Sequence, residues 1–546
     1  MRPIQIFSTL VALLSVVSAQ QPSVIPRKSP VYTEEFQHTL PIPPVKRPLT
    51  TYHNKKTGKV VDFYEIRIKS FKKNIFKGLG DANFVGYDGM VPGPTFRVPR
   101  GRETVIRFIN EEQNAASIHL HGSYSRAVFD GWAEDMIPKD HYKDYYYPNA
   151  QNARTLWYHD HSNGKTAVNV NSGQAGFYII EDAEVEQRLC LPQGKYDIPL
   201  MISARFWAAN GDLPDISAPG PQYGDTYSVN GQISPYLDVE SRKYRFRILN
   251  ASVGRTSNFT IEDGKGRLLP FHVVGSDAGF MSKRVETKSL VVAPAERWEI
   301  IVDFGATDEK TLMLRTAQVF SDQRYEISGN IMQFRIAKSE APSLAVIPLP
   351  NKLVDLDLPK VTNALVTKTF VFGRTGTLWT INGKTFHDPK NRLVENVPFG
   401  TTEKWILRGG AGWSHPVHIH LVDFQIIKRV ALGPTGRDYL TEYERFAMKD
   451  IAAVGSEEEV HILAKYAPWD GLYMFHCHNL AHEDDNMMAA FNVTNIKTMG
   501  YKDSKFSDPM TAEFRAKPYK GTTDLVEVKS AVLERYSNMG AYEKNN

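Results

Sequence analysis

Cysteine is scarce in this chain of 546 residues, which contains only Cys190 and Cys477. At most one disulfide bridge could form, so a disulfide framework is excluded, and Cys190 is left unpaired if Cys477 binds a metal. A dominant charge is lacking as well, because 65 basic residues stand against 61 acidic ones and neither sign forms a long run. This balance excludes the strongly basic surface that marks a nucleic-acid-binding protein.

Long apolar runs are lacking beyond the N-terminus. There, a basic residue precedes the apolar stretch Ile4–Val17 and small residues ending at Ala19 follow it, which predicts a cleaved secretory signal over residues 1–19. No later run is long enough to cross a bilayer. We therefore expect a secreted, extracellular monomer with no membrane partner.

The N-terminal segment 20–44 begins with two prolines and a basic pair within Gln20–Lys28. Two interpretations are open, a short pro-segment that is cleaved or a loose terminus. Three Asn-x-Ser/Thr sequons suit a glycosylated secreted protein. The candidate positions for N-glycans are Asn250, Asn258 and Asn492.

One short phrase recurs three times in the chain: a turn with glycine, a strand, a second turn and an alternating strand. The copies begin at Tyr87-Asp88-Gly89, Val229-Asn230-Gly231 and Ile381-Asn382-Gly383, and their last strands are Gly101–Phe108, Ser241–Ile248 and Gly400–Leu407. Alternation of apolar and polar residues indicates a half-buried strand, and helical periodicity is scarce. The pattern predicts an all-β protein of three consecutive β-sandwich domains.

The predicted domains span residues 45–184, 185–340 and 363–498. The middle domain is interpreted as a spacer, and a proline-rich linker over 341–362 joins it to the third domain. Residues 499–546 form a C-terminal tail that acts as a connector or a wrap.

Histidine is concentrated, because ten of the sixteen histidines lie in four tight clusters and the middle repeat has only His272. A protein core would not produce this distribution. The clusters are His119-Leu120-His121, His159-Asp160-His161, His415-Pro416-Val417-His418-Ile419-His420, and His476-Cys477-His478-Asn479-Leu480-Ala481-His482.

Spacing turns these clusters into ligand pairs, because residues two apart on a strand point the same way. Four pairs follow, two from the first repeat and two from the third, so eight imidazoles should meet at an interface between those domains. Such a site suits copper or zinc. Zinc is disfavoured, since a structural zinc site closes with four ligands and usually several cysteines.

The remaining residues of the third repeat form a second ligand set. Because Cys477 and His415 have the opposite parity to the paired histidines, they should face a different metal. A thiolate, two imidazoles and a thioether are the ligands of a blue copper centre, here Cys477, His415, His482 and a long axial Met487.

These four clusters, in this order, resemble the copper motifs of the multicopper oxidases, a family of laccases, ascorbate oxidases, ferroxidases and bilirubin oxidases. The resemblance runs from about Gly89 to Asn492 and is strongest to the fungal bilirubin oxidases, more distant to bacterial spore-coat laccases. It rests on the histidine clusters and on Leu156–His161, Gln174–Tyr178, Ser117–Gly122, Phe129–Asp135 and His478–Asp484.

The resemblance implies three cupredoxin domains with Greek-key topology and four copper ions per chain. One is a type 1 copper at His415, Cys477, His482 and Met487, where Met487 implies a lower reduction potential than an aliphatic residue would give. One is a type 2 copper at His119 and His418. The other two form a type 3 pair held by His121, His159, His161, His420, His476 and His478.

Three further residues are candidates for roles in the reaction. Reduction of dioxygen to water consumes protons, and a carboxyl group near the cluster could supply them. Asp130 resembles the family's proton-relay aspartate, although an ordinary Asp-Gly turn is its alternative. Glu483 follows His482 and is either a second relay, an acid that supports a ligand, or an acid that faces solvent. Trp413 either forms the rim where the electron donor docks or simply packs beside His415.

The leading functional hypothesis is an oxidase that takes single electrons from a bulky aromatic donor, such as bilirubin or a phenol, and reduces dioxygen to water. A metal-ion oxidase acting on Fe(II) or Cu(I) is an alternative, but only 14 methionines are present and none forms a Met-rich insert. A phenol-coupling laccase of pigment biosynthesis is a further alternative. A copper-binding coat or storage protein without turnover would need neither the type 1 ligands nor their closeness to the cluster.

Overall fold

The computed structural model describes residues 24–217, 222–320, 323, 325–337, 348–410, 412–494 and 507–539. The predicted signal over 1–19 lies outside these ranges, as do 20–23, part of the predicted linker and the start of the predicted tail. Within the described ranges, no helix is long and apolar enough to cross a membrane.

The first sandwich is built by nine strands from the first third of the chain. They are β1 (Thr50–His53), β2 (Val60–Asn74), β3 (Asp81–Tyr87), β4 (Gly93–Pro99), β5 (Glu103–Asn110), β6 (Ile118–His121), β7 (His141–Tyr147), β8 (Arg154–Asp160) and β9 (Ala175–Glu181). One sheet has the order β1-β2-β5-β7, with β3 paired to β2, and the facing sheet has the order β4-β9-β8-β6.

The middle sandwich follows with twelve strands. They are β10 (Asp197–Arg205), β11 (Thr226–Val229), β12 (Gln232–Ile233), β13 (Tyr236–Glu240), β14 (Lys243–Asn250), β15 (Ser257–Glu262), β16 (Phe271–Ser276), β17 (Gly279–Thr287), β18 (Ser289–Val292), β19 (Arg297–Asp303), β20 (Thr311–Gln318) and β21 (Asn330–Ala337). The sheets have the orders β12-β11-β10-β14-β19-β16-β17 and β13-β21-β20-β15-β18.

The third sandwich has two five-stranded sheets. Its strands are β22 (Ala364–Thr375), β23 (Leu378–Ile381), β24 (Leu393–Pro398), β25 (Thr402–Gly409), β26 (His415–Ile419), β27 (Phe424–Ala431), β28 (Ile451–Val454), β29 (Glu458–Lys465), β30 (Gly471–Cys477) and β31 (Met488–Thr494). The orders are β23-β22-β25-β29-β27 and β24-β31-β30-β26-β28.

Helices are short and lie in the connections. The structure has α1 (Thr166–Ser172), α2 (Ala183–Arg188), α3 (Glu442–Arg445) and α4 (Leu480–Asp484), followed near the C-terminus by α5 (Leu525–Glu527), a π-helical stretch (Val528–Leu533) and α6 (Glu534–Ser537). Single 3-10 turns occur at Ala127–Phe129, Gly194–Tyr196, Phe304–Ala306, Val361–Asn363 and Ala512–Phe514.

Each sandwich has its own apolar core between its two sheets. In the third sandwich, for example, Phe370 and Trp405 from one sheet pack on Phe475 from the other. Side chains that alternate along a strand make this packing possible, because every second residue faces the partner sheet. The prediction of an all-β protein with three consecutive sandwiches is confirmed.

The predicted half-buried strands divide into two kinds. In β25 the burial alternates along the strand, as expected. In β14 nearly every residue is buried, including the polar positions Arg245 and Arg247. Their guanidinium groups pair with the buried carboxylates of Glu299 and Asp197, so the polar face of this strand is covered rather than exposed to solvent.

The N-terminal segment from residue 24 runs along the first two sandwiches. Lys28 N and Ser29 N donate hydrogen bonds to Asp225 Oδ2, at 2.7 and 3.0 Å, and Leu40 is part of the middle core. Buried side chains and backbone hydrogen bonds therefore hold the chain in place from Lys28 onward.

One predicted glycan position is excluded by burial. Asn250 is fully buried, and its side-chain amide donates 2.8 Å hydrogen bonds to the carbonyl oxygens of Arg255 and Val292. A glycan has no room there in the folded protein, whereas Asn258 and Asn492 are partly exposed.

The C-terminal residues wrap around the first sandwich. A two-residue strand, β32 (Lys517–Pro518), pairs antiparallel with β7, and Phe514, Leu533 and Tyr536 belong to the first core. The described part of the tail therefore completes a domain that begins more than four hundred residues earlier.

This packing makes Leu533 important for stability. We expect Leu533→Ala to lower the free energy of unfolding by about 2–5 kcal/mol, because it removes a buried side chain and leaves a cavity. The matched control is Leu525→Ala, at a position 37% exposed in the same helical segment. This substitution should change the free energy of unfolding by about 0.5 kcal/mol or less. Urea unfolding measures both, and equal losses would contradict the role given to the tail.

Candidate metal centres

The paired histidines lie where strands of the first and third sandwiches end. His119 and His121 lie on β6, whereas His159, His418 and His476 lie on β8, β26 and β30. The second member of each of these three pairs follows just past the strand: His161, His420 and His478. All three nevertheless reach the same cluster as their partners, although they lie beyond the strands.

Strand register brings the pairs opposite each other. His119 is directly opposite His159 across β6 and β8, and His418 is opposite His476 across β26 and β30. Each sandwich thus presents two neighbouring strand ends, and the two sets face one another. All eight imidazoles are buried.

The imidazoles form three close groups. One contains His119 and His418, whose Nε2 atoms lie 3.4 Å apart, with His420 close to both. A second contains His161, His420 and His476, with Nε2 of His476 at 3.1 and 3.2 Å from the other two Nε2 atoms. The third consists of His121, His159 and His478.

Burial keeps most of these rings neutral. It lowers the pKa of His119, His121, His159, His418, His420 and His478 well below the usual range, and neighbouring histidines lower it further. Burial also lowers the pKa of His161, to about 4, although Glu483 opposes this. Neutral imidazole is the form that binds metals, so the lone pairs are available at neutral pH.

Asp130 joins two of the groups. His420 Nδ1 donates to Asp130 Oδ2 at 2.7 Å, and His119 Nδ1 donates to the Asp130 carbonyl oxygen at 2.5 Å. Burial raises the pKa of the Asp130 carboxyl group well above its ordinary value. The residue follows the turn Ala127–Phe129, so the Asp-Gly turn and the contact with the histidines occur together.

Glu483 lies on the other side of the cluster. Its Oε2 is 2.9 Å from His476 Nδ1, and its Oε1 is 3.7 Å from His161 Nδ1. Burial would raise the pKa of this carboxyl group, but the two nearby imidazoles lower it to about 2. The acid contacts cluster histidines rather than His482, its neighbour in sequence.

The second ligand set lies in the core of the third sandwich. Cys477 Sγ is 3.5 Å from His415 Nδ1 and 3.7 Å from His482 Nδ1. Met487 is fully buried in the same core, and its carbonyl oxygen accepts from Cys477 N at 3.1 Å. Burial lowers the pKa of His415 to about 4. The other cysteine, Cys190, is free and exposed.

A cavity of about 630 Å³ opens beside this set. His482 and Trp413 line it, together with Trp379, whose ring stacks on the His482 ring at 3.8 Å between centroids. Trp413 contacts both, at 5.5 Å from Trp379 and 5.7 Å from His482. The volume is within the usual range for small-molecule sites, about 300–1,000 Å³.

Sequence reasoning missed four residues that contact the candidate ligands. Trp379 has no metal-binding spacing, and only its place two residues before the glycine phrase of the third repeat could have drawn attention to it. Trp157 stacks on His159 with 4.0 Å between ring centroids, and in the sequence it stood out only as part of the motif Leu156–His161. Asp450 and Arg297, described below, carry no local signal at all.

The donor set fits copper. Nδ1 of His119 and of His418 each faces a carbonyl oxygen and so carries the proton, which leaves two Nε2 lone pairs facing each other at 3.4 Å. This contact is unfavourable unless a cation lies between them. His159 Nε2 and His121 Nδ1 are buried without a hydrogen-bond partner among the described residues. Thiolate with two imidazoles suits copper more than zinc.

Comparisons with known proteins give a consistent result. Residues 71–185, 208–336 and 356–497 match three family models, each described as multicopper oxidase. Bilirubin oxidase from Albifimbria verrucaria is 43% identical, over 97% of this chain and 97% of that protein. A laccase from Bacillus subtilis is 32% identical, over 85% of this chain and 99% of its own length.

Solved structures are also similar. The McoA multicopper oxidase from Aquifex aeolicus has a TM-score of 0.72 and 27% identity, covering 84% of this chain and 99% of that one. A laccase from Pediococcus acidilactici has a TM-score of 0.74 and 25% identity, covering 86% of this chain and 96% of that one.

The low pKa of His415 predicts a pH-dependent stability of the metal-free protein. Between its folded value of about 4 and about 6.5 in the unfolded chain, only the unfolded state binds the proton. Stability is therefore full above pH ~6.5 and decreases as the pH falls towards 4. His415→Gln should flatten this dependence by about 1.4 kcal/mol per pH unit.

Urea unfolding at several pH values measures the effect. The control is His53→Gln, at an exposed position on β1, which should keep the slope of the parent. If His415→Gln has that slope too, the imidazole is not held neutral as described.

Proposed function

This chain belongs to the multicopper oxidases, copper-binding enzymes that use dioxygen as the electron acceptor, and from that membership we propose how its residues share the reaction. The observation that carries the proposal is the convergence of eight buried imidazoles from two sandwiches beside a thiolate set in the third. Copper bound at these positions would supply one-electron oxidation of a donor and four-electron reduction of dioxygen to water.

We assign four copper ions to the chain. His415, Cys477, His482 and the axial Met487 would hold the type 1 copper, and His119 with His418 the type 2 copper. The type 3 pair would be held by two groups, His161, His420 and His476 for one ion and His121, His159 and His478 for the other. The three close groups of rings support this division, because each contains two or three imidazoles.

The thiolate residue connects the two centres. Cys477 lies in the third core, while its sequence neighbours His476 and His478 belong to the cluster. A single peptide bond on either side of Cys477 therefore separates the residue at the site that accepts electrons from a residue at the site that reduces dioxygen. A storage protein would gain nothing from this arrangement.

The proposed domains are 45–184, 185–340 and 363–498. Within them, the first and third supply the cluster ligands. We further propose that the chain is secreted as a monomer after removal of residues 1–19, with N-glycans at Asn258 and Asn492.

The cavity beside His482 is the proposed donor site. Its aromatic wall, Trp379 with Trp413, suits a flat conjugated donor, because offset stacking stabilises such contacts. Arg374 also lines it, with its guanidinium carbon 4.9 Å from the Trp379 ring centre. A positive charge over an aromatic slot favours donors that carry a carboxylate, such as bilirubin, over uncharged phenols.

Two acids in the cavity do not favour a metal-ion donor. The Asp484 carboxylate accepts hydrogen bonds from Thr166 N and Ala167 N, both at 2.9 Å, which fixes it at the start of α1. Burial raises the pKa of Asp484 well above its ordinary value and that of Asp485 less strongly. Asp484, whose oxygens are both engaged by the backbone of α1, makes a weak docking group for Fe(II).

Oxygen uptake tests the proposal directly. The copper-loaded protein is offered bilirubin, a simple phenol and Fe(II) in parallel, while its visible spectrum is recorded. We expect a blue protein that consumes oxygen fastest with bilirubin. A blue protein that consumes none with any donor would reject turnover, and fastest uptake with Fe(II) would reject the donor class.

Arg374 tests the donor site in the same assay. Arg374→Gln should raise the KM for bilirubin about tenfold, since a charge-assisted hydrogen bond contributes roughly 1.5–3 kcal/mol when desolvated and less at this exposed position. The KM for the neutral phenol should stay unchanged. The control is Arg408→Gln, an exposed arginine of the same sandwich that pairs with Glu459 outside the cavity. A KM for bilirubin unchanged in Arg374→Gln, or raised equally in the control, would contradict the charge argument.

Asp130 is the proposed proton donor to the cluster. An asparagine there can still accept from His420 Nδ1, so Asp130→Asn removes the proton without removing the contact. Anaerobic reduction of the blue centre by the donor should be unchanged, whereas reoxidation by dioxygen should slow by about 100-fold or more. Stopped-flow absorbance separates the two phases, and Glu483→Gln measured beside it shows which acid matters more. Reoxidation at the parent rate in Asp130→Asn would dismiss its role.

A further inference from the structure

The middle sandwich contributes an arginine to the edge of the cluster. Arg297 is the first residue of β19, and its side chain is fully buried at the junction of all three sandwiches. It donates to the carbonyl oxygen of Thr155 in the first sandwich, at 3.0 Å, and to that of Ala295 in its own, at 3.0 Å. It also donates to the carbonyl oxygen of Asp277 in the middle sandwich, at 3.2 Å, and to the carboxylate of Asp450 in the third sandwich.

The pairing of Arg297 with Asp450 is bidentate. Nη1 donates to Asp450 Oδ1 at 2.7 Å and Nη2 donates to Oδ2 at 2.5 Å, the geometry in which an arginine binds a carboxylate most strongly. Both carboxylate oxygens are therefore engaged. Although Asp450 lies with His121 and His418 in a group that could hold a metal ion, this engagement favours a supporting role over ligation.

Asp450 contacts one histidine from each side of the cluster. His121 Nε2 lies 3.2 Å from Asp450 Oδ1, and because both Asp450 oxygens accept from Arg297, this nitrogen carries the proton and donates it. Nδ1 of His121 is then the atom left for a metal. His418 Nδ1 donates to the Asp450 carbonyl oxygen at 2.9 Å, which leaves its Nε2 for a metal.

The two rings are held parallel as a result. Their centroids lie 3.6 Å apart with an angle of 16° between the planes. Gly122 leaves room for the Arg297–Asp450 pair beside His121, since a Cβ there would lie 2.6 Å from both Arg297 Nη2 and Asp450 Oδ2. Its φ of +84° also disfavours other residues.

Asp450 is itself fixed by a further carboxylate of the middle sandwich. Asp277 Oδ2 accepts from the backbone N–H groups of Asp450 and Ile451, at 3.1 and 3.2 Å. The Lys449 ammonium group lies 2.9 Å from Asp277 Oδ2 and 2.8 Å from Glu296 Oε1. Side chains of the middle sandwich thus surround the segment that carries Asp450.

We propose that Asp450, held by Arg297 of the middle sandwich, is a positioning residue that sets the ring orientation and the metal-binding nitrogen of His121 and His418. The middle sandwich is then a structural part of the cluster and not only a spacer. This inference rests on the proposed function, because it takes these two histidines as copper ligands.

Copper retention tests the inference without relying on turnover. Copper-loaded variants are titrated with a chelator, and bound copper, the blue absorption and the type 2 electron paramagnetic resonance signal are followed together. Asp450→Ala should retain cluster copper about 10- to 100-fold more weakly, the usual effect of removing a partner of a ligand histidine. The blue absorption should persist, since Cys477 and Met487 lie in the core of the third sandwich, whereas Asp450 bonds to the cluster histidines.

Two further variants separate positioning from general damage to the fold. Asp450→Asn keeps an oxygen that can accept from His121, so it should recover part of the retention lost in Asp450→Ala. Arg297→Gln should weaken cluster copper and alter the type 2 signal. The control is Arg247→Gln, which removes an equally buried arginine of the adjacent strand β14 that binds Asp197 at 2.8 and 2.9 Å. It should leave the retention of cluster copper and the type 2 signal unchanged.

Cluster copper retained at the parent level in Asp450→Ala would overturn the proposal, as would equal losses in Arg297→Gln and Arg247→Gln. Failure of the proposed function is distinguishable, because it would show in the parent protein itself as absent cluster copper or absent oxygen uptake.

Discussion

Eight buried imidazoles must stay packed against one another in an interface between domains, and the rest of the molecule is arranged to allow it. Burial lowers the pKa of seven of these rings, so they remain metal ligands, but unpaired ring nitrogens away from water are costly. Most rings avoid this cost because a hydrogen-bond acceptor lies beside the nitrogen that points away from the cluster. Asp130 and Asp450 supply four of these acceptors, and each joins residues that are distant in sequence.

This constraint explains why the site lies between domains. A single sandwich buries apolar side chains between its sheets and has no room for eight rings there. Strand ends at the edge of two sandwiches can each present a pair of histidines. The register of His119 with His159, and of His418 with His476, places the two pairs of each sandwich side by side without distorting either sheet. The interface then depends on the relative placement of two domains, which explains the network of buried charges from the middle sandwich.

Much of this could be predicted from the sequence, because the signals were local. Histidines two apart, a cysteine between histidines, and alternating strands after glycine turns each reflect the geometry of a strand, and they gave the fold class and brought the candidate ligands into view. Asp450 and Arg297 could not be found in this way, since their contacts depend on how three domains meet. The same holds for Trp379, which reaches His482 from another strand, and for Asn250, whose sequon gave no sign of burial.

The pairing of β32 with β7, and the packing of Leu533 in the first core, also bear on how the protein is made. During synthesis the first sandwich leaves the ribosome long before the residues that complete it, and domains generally fold as units in order of emergence. This sandwich must therefore wait in an unfinished state while the other two form. Closure by the segment around Leu533 therefore comes late in synthesis, and a chain that lacks this segment is left with an exposed first core.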